Sequence, residues 1–309
     1  VIIPVRRLAA VCALGAALAA CGTSPAPRAA RPSAPAPSSA SASPSDPASP
    51  SDPASPSDPA SPSDPASAEP SRAPTLAPGP AGLTPVFKNG PRTLGKTVAL
   101  TFDADMTADQ GPRAAGGEHF DNPGLISALR GLKVPSTVFM TGRWAEEYPA
   151  EARSIGRDPL FEVANHSYSH YAFTDDCYGL PTVSEDRMRA DVERAYTAFR
   201  TVGVPDAMPY FRFPGGCYDQ RALRAVGGLG VTAVQWDVVS GDAFATDADA
   251  VAREVLDGVR PGSVVVMHCT RSAAPVTERA VRAIVPELRR RGYRFVKVSE
   301  LIGAVRASS

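Results

Sequence analysis

T-V-A-L-T-F-D (97–103) is a short apolar run that ends in an acid, and A-D (104–105) follows it at once. A run of this length, rich in β-branched and aromatic residues, reads as a strand buried in a sheet. Six more runs of the same kind lie downstream: P-S-T-V-F-M-T (135–141), F-E-V-A-N (161–165), Y-F-R-F (210–213), V-T-A-V-Q-W-D (231–237), S-V-V-V-M-H (263–268) and R-F-V-K-V (294–298). Between them lie amphipathic stretches, such as Ser184 to Arg200, with Ser184 or Asp186 placed to cap, and Val276 to Arg291, with Gly292 as the stop. Strands alternating with helices over residues 84–309 predict an α/β fold, a barrel or a doubly wound sheet. In both, chemistry collects where strands end and loops begin.

The polar residues sit at those ends. Asp103 and Asp105 close the first run, His166 and His170 follow the third, and Arg212 stands at the fourth. Asp237 and Asp242 follow the fifth, and His268 ends the sixth. A single acid at a strand end is usually a cap or a turn former. Five strand ends that bring such groups to one rim point to an active site.

His166 and His170 are two of only four histidines in the chain, and their i, i+4 spacing lets two imidazoles reach one metal ion from a helix or a wide turn. Two histidines and a carboxylate leave Zn²⁺ an open position for water, whose pKa falls toward ~7. Charge points elsewhere than nucleic acid: 32 basic residues balance 32 acidic ones, so no basic excess is available for phosphates.

The set T-F-D-A-D (101–105), H-S-Y-S-H (166–170), R-F-P-G-G (212–216), W-D-V-V-S-G-D (236–242) and V-V-V-M-H (264–268) resembles the five ordered motifs of polysaccharide deacetylases, the NodB-homology or carbohydrate esterase family 4. The resemblance spans Lys96 to about Ile302. It implies a distorted (β/α) barrel of about seven parallel strands, and removal of N-acetyl or O-acetyl groups from polysaccharide with a divalent metal, zinc first and cobalt as an alternative. Asp103 would be the general base, Arg212 its holder, and His268 the acid toward the leaving amine. His166 and His170 would be metal ligands. The backbone N–H after Pro214, in the Pro214-Gly215-Gly216 turn, would serve the oxyanion.

Two departures matter. The family pattern has adjacent aspartates, base then ligand, whereas here Ala104 intervenes. Residues 103 and 105 of an extended strand face the same side, so Asp105 is the expected third ligand. The family acid at Val239 and the tryptophan at Ala243 are both missing, which leaves Asp242 as the matching acid, Asp237 in reserve, and one wall of the sugar groove without its residue; Trp236 reads as packed, with stacking on sugar as the alternative. Trp144 and Tyr168 read as packing residues. The polar stretch Gly111 to Asp121, with His119, reads as a lid or a surface loop. The competing function is a non-catalytic envelope lipoprotein that binds glycan or metal through a decayed site.

The first 83 residues read differently. Arg6, Arg7 and the apolar stretch Leu8 to Ala20 form an export signal (1–20), and Leu18-Ala19-Ala20-Cys21 resembles the bacterial lipoprotein box with lipid expected on Cys21. Residues 21–83 are a Pro, Ala and Ser linker with four S-P-S-D-P-A copies between Ser43 and Ala66, which have no apolar face to bury. Extended at ~3 Å per residue, it would reach up to ~180 Å from a membrane anchor. The expectation is a monomeric, membrane-tethered protein outside the cytoplasm. Cys177, Cys217 and Cys269 then remain for the domain; one disulfide and one free thiol suit an exported chain, and Cys177 with Cys217 is the expected pair.

Overall fold

The computed structural model describes residues 73–204 and 206–308, so the signal, Cys21 and the repeats lie outside the described residues. Among the described residues nine strands form one sheet: β1 (Val86–Phe87), β2 (Thr97–Ala104), β3 (Ser136–Met140), β4 (Phe161–Asn165), β5 (Tyr210–Phe211), β6 (Thr232–Val234), β7 (Val238–Val239), β8 (Ser263–His268) and β9 (Arg294–Phe295). Every pairing is parallel, in the order β1-β6-β5-β4-β3-β2-β8-β7, with β9 also on β2. All seven expected runs contain a strand. The two extra strands, β1 and β7, are two residues long, too short to show a period.

The fifth run holds β6, and β7 follows just after its end. β6 sits beside β1 near one edge of the sheet, whereas β7 pairs β8 at the other edge. Only Gln235, Trp236 and Asp237 separate them. Four peptide steps span at most ~14 Å, so the two edges must approach each other and the sheet curls into an open barrel bridged by the chain itself.

The helices are α1 (Gly111–Ala115), α2 (Pro123–Gly131), α3 (Gly142–Glu147), α4 (Pro149–Gly156), α5 (Glu185–Val202), α6 (Gln220–Ala225), α7 (Ala248–Gly258), α8 (Thr277–Arg290) and α9 (Val298–Ser308). α5 buries Met188, Val192, Ala195, Phe199 and Val202, the i, i+3, i+4 stripe of one face, and ends at Gly203 with φ 86°. No described helix is long and apolar enough to cross a membrane.

β2 is buried on both faces, yet its two faces differ. Val98, Leu100, Phe102 and Ala104 pack in the large core that also holds residues of α2, α3, α5, α7 and α8. Ala99 belongs to the inner cluster with Phe139, Val264 and the α9 residues Val298, Leu301 and Ile302. By the two-residue period, Thr101 and Asp103 face inward with Ala99. α9 stops the N-terminal end of the barrel: Thr137 Oγ1 accepts from Val298 N at 3.0 Å and the buried Glu162 accepts from Ser299 N at 3.1 Å. Upstream of residue 84, Pro74 O accepts from Tyr210 Oη at 2.8 Å and Leu76 N donates to Thr232 at 2.9 Å, so the segment before the expected boundary already lies against the barrel.

The stretch Gly111 to Asp121 is exposed or half-buried over most of its length and is anchored at its C-terminal end. Phe120 is buried, its carbonyl accepts from Trp144 Nε1 at 2.6 Å, and its N–H donates to Tyr148 Oη at 3.1 Å. Ser272 N, beyond β8, donates to His119 O at 2.9 Å.

Candidate active site

Parallel strands end on the same side, and register decides what meets there. Asp103 on β2 stands opposite Phe139 on β3 and His268 on β8. Met140 is level with Asn165, and Asn165 with Phe211, so His166 and Arg212 leave their strands at the same rim. Residues more than a hundred positions apart thus share one site.

Arg212 is fully buried inside the barrel. Its Nη1 donates to Asp103 Oδ1 at 2.5 Å, Nη2 to Thr101 Oγ1 at 2.9 Å and Nε to Val234 O at 3.2 Å, while its guanidinium lies 3.8 Å from the Phe139 ring centre. A buried guanidinium needs this full set of acceptors. One Asp103 oxygen is thereby occupied. The other, Oδ2, lies 3.6 Å from His166 Nε2.

His166 and His170 lie in a turn after β4, not in a helix, with ring centres 5.0 Å apart. Ser167 and His170 both take positive φ, 67° and 56°. Hydrogen bonds hold this costly backbone in place. Asn165 accepts from Ser167 N at 2.8 Å, Ser167 Oγ accepts from His170 N at 3.0 Å, and Asp191 of α5 accepts from Tyr168 N at 3.1 Å and from the Ser169 hydroxyl at 3.1 Å. His166 Nδ1 donates to Arg212 O at 2.9 Å, which sets the tautomer and turns the Nε2 lone pair toward the site.

Asp105, His166 and His170 offer ligand atoms that all lie within 4.8 Å of one another. The donor set fits a divalent ion. Burial lowers the His166 pKa and pushes that of His170 down to about 4, against the pull of Asp105 and Asp103, so both rings are neutral as ligands must be. Asp105 Oδ2 is 3.4 Å from His170 Nε2, and the Thr270 hydroxyl contacts the other Asp105 oxygen.

His268 is built in the opposite sense. Its Nδ1 is 2.8 Å from Asp242 Oδ1, and its backbone N–H donates to Asp242 Oδ2 at 2.8 Å. The hydroxyls of Ser240 and Thr277 donate to the same carboxylate at 2.8 and 2.7 Å. Burial disfavours the imidazolium, but the charge and hydrogen bond of Asp242, with Asp105 and Asp103 beyond, outweigh it and push the pKa up to about 10.

The remaining expected residues separate. Asp237, the reserve acid, is outside the site: it pairs with Arg92 at 2.7 Å and accepts from Val264 N at 2.7 Å. Pro214, Gly215 and Gly216 form a 3₁₀ turn in which both glycines take positive φ, 63° and 75°. Among the described residues, Gly215 N–H has no acceptor. Trp236 is half-buried and backs this turn; a β-carbon on Gly216 would come within 2.4 Å of its indole. Its position is therefore beneath the turn as much as beside a ligand. Cys177 and Cys217 form a disulfide, and Cys269 is free and buried.

Sequence reasoning missed Thr101, Asn165, Asp191, Ser240, Thr270 and Thr277. Thr270, two residues past His268, was the most accessible of these. Asp191 and Thr277 sit in or at the start of helices, where an acid or hydroxyl carries no distinguishing signal.

A parallel barrel with a buried base–guanidinium pair, a His–His–Asp cluster and a charged histidine on one rim defines a hydrolase-type centre. Residues 90–234 match the polysaccharide deacetylase family model. Over those residues the chain is similar to polysaccharide deacetylases. It is 28% identical over 218 residues to a chitooligosaccharide deacetylase of Bradyrhizobium sp. (strain ANU 289), covering 66% of this chain and 92% of the relative. It is 28% identical over 206 residues to a peptidoglycan-N-acetylglucosamine deacetylase of Bacillus cereus, covering 66% and 67%. The crystal structure of a peptidoglycan N-acetylglucosamine deacetylase superposes with a TM-score of 0.60 at 25% identity, over 71% of this chain and 92% of that one.

Proposed function

We propose that this protein hydrolyses the acetamido group of an N-acetylated glycan, with a divalent metal, at the extracytoplasmic surface. The observation that carries the reading is the placement of a base pair, Asp103–Arg212, and an acid pair, His268–Asp242, around the Asp105–His166–His170 cluster. A decayed, non-catalytic site would be expected to lack one of these parts, and all are assembled.

Asp105 and the two histidines would hold the ion, zinc or cobalt, which when bound supplies Lewis acidity at the carbonyl and makes water a stronger acid. Asp103, with one oxygen held by Arg212, takes the proton from the attacking water through the other. Gly215 N–H donates to the oxygen that becomes negative as the carbonyl turns tetrahedral. His268, kept charged by Asp242, gives its proton to the departing amine, which is otherwise too poor a leaving group. Acetate and a free amino sugar result.

Acetate release from chitooligosaccharide, peptidoglycan and acetylated xylan, measured with and without chelator, tests this. Release from an N-acetylated glycan, abolished by chelator and restored by Zn²⁺ or Co²⁺, is expected. Full activity with no metal by elemental analysis would remove the metal-dependent mechanism, and no release from any glycan would remove the function. The anchor is proposed from the lipoprotein box alone. Cys21→Ser should release the protein from the membrane with unchanged activity on a soluble substrate.

A further inference from the structure

We infer that the Cys177–Cys217 disulfide is a positioning element for the reaction: it holds the Pro214–Gly216 turn so that Gly215 N–H stays aimed at the site. The inference rests on the proposed role of that N–H. The bond joins the loop after the two histidines to the turn after Arg212, its ends 40 positions apart in the sequence. It does so at the turn itself. Cys177 Sγ lies 3.6 Å from Pro214 O and Cys217 Sγ 3.8 Å from Gly215 O. A β-carbon on Gly215 would come within 2.5 Å of Cys177 Sγ, 3.3 Å of the Tyr178 ring and 3.4 Å of Leu180, so the loop forms a floor under the glycine.

The turn needs such a floor. Its inner end is tied by the Arg212 guanidinium to Asp103 and by Arg212 O to His166. Its far side rests on Trp236, and Gly216 O accepts from Gln235 at 3.1 Å. Between those ties stand two glycines in the left-handed region, where the backbone has the widest choice of conformations and the most freedom to leave this one. Gly215 itself is exposed, so no packing from above restrains it. The sulfur atoms supply the missing side.

The base of the loop is fastened separately. Phe173 is fully buried and packs 5.5 Å from both Phe211 and Phe213, and Val183 N donates to Ala172 O at 2.9 Å. Opening the disulfide therefore frees the loop tip and the glycine turn and leaves the histidine turn, held by Asp191 and Asn165, in place. A donor loosened but not removed should cost less than the ~10²- to 10³-fold typical of deleting one.

The test compares the wild type with C177S/C217S in the full chain. Expected are a kcat lower by about 10- to 100-fold, KM within about twofold, and unchanged metal content. Hydrogen exchange should rise at Gly215 and Gly216 and stay slow at residues 166–170. As a second route, folded wild type is treated with a water-soluble phosphine, which takes oxygen from water to become the phosphine oxide while the two sulfurs leave as thiols. Activity should fall as thiols appear by mass spectrometry, with the far-ultraviolet circular dichroism unchanged, and should return on reoxidation. The inference is overturned if kcat holds within about twofold with the bond open, or if activity is lost only in proportion to metal or folded protein. Should the wild type release no acetate, the proposed function fails, while slow exchange at the freed turn would independently sink the positioning role.

Discussion

The His268–Asp242 and His170–Asp105 pairs use the same two residue types on one rim and reach opposite protonation states. His268 is pushed up to about 10, with its carboxylate at 2.8 Å and that carboxylate fastened by two hydroxyls. His170 is pushed down to about 4, with its carboxylate at 3.4 Å and a second histidine beside it. Burial opposes charge on both rings. The outcome turns on whether the carboxylate is close and committed to one ring, or shared in a cluster with room for an ion. One arrangement keeps a proton to give away; the other keeps lone pairs free.

The largest expected effect separates the two aspartates of the ion side. Asp103→Asn should retain metal and lower kcat by about 10²- to 10⁴-fold, the usual worth of a positioned base. Asp105→Asn should reduce metal content, with activity partly recovered in excess zinc by mass action. Elemental analysis with steady-state rates decides. Metal lost at 103 and kept at 105 would mean that Ala104 has exchanged the two roles.

Asp242→Asn should turn the acid pair into something closer to the other. Without the carboxylate charge, burial prevails and the His268 pKa drops, so the alkaline limb of the pH–rate profile should move down by about three units or more. At pH 8 kcat should fall by about 10- to 100-fold. An unmoved alkaline limb would detach that limb from His268.

Acid sharpens the other half of the comparison. Unshifted histidines would begin to lose metal near pH ~6.5. With His170 depressed to about 4, protons should displace the ion only below about pH 5. In the metal-free protein the same shift should make stability fall as pH drops from ~6.5 to ~4, because the unfolded chain takes up the proton first. Metal content after dialysis at a series of pH values checks the first statement, and half-loss between pH 6 and 7 would contradict it.

A carboxylate without a histidine gives the smallest effect. Glu151, on α4, is pushed up to about 7 by burial and by Asp121, against Arg130, and one of its oxygens is buried without a partner. Its folded pKa exceeds the ordinary value, so its contribution is present below pH ~4.5 and lost as pH rises through ~7. Glu151→Gln should stabilise the protein by about 1–2 kcal/mol at pH 8, after discounting for solvent screening, and leave it unchanged near pH 4.5. Thermal melts at the two pH values measure the difference. Equal melting shifts at both would remove the titration as its cause.

By itself, the sequence determined the parts list and the level at which the parts stand. Strand length, the two-residue period and the acids and histidines at run ends are local properties, so Asp103, His166, Arg212 and His268 were legible as one rim before any contact was known. Even the disulfide pairing was within reach, since the two loops carrying Cys177 and Cys217 follow neighbouring strands. Tertiary structure decided the rest. It set β6 and the β7 that follows it toward opposite edges of the sheet, sent Asp237 to Arg92 and Asp242 to His268, and brought Thr270 to Asp105 and Asp191 under the histidine turn. It also set which histidine is charged. Protonation depends on distances of a few ångströms and on the exclusion of water, and both are properties of neighbours that the chain brings together from far apart.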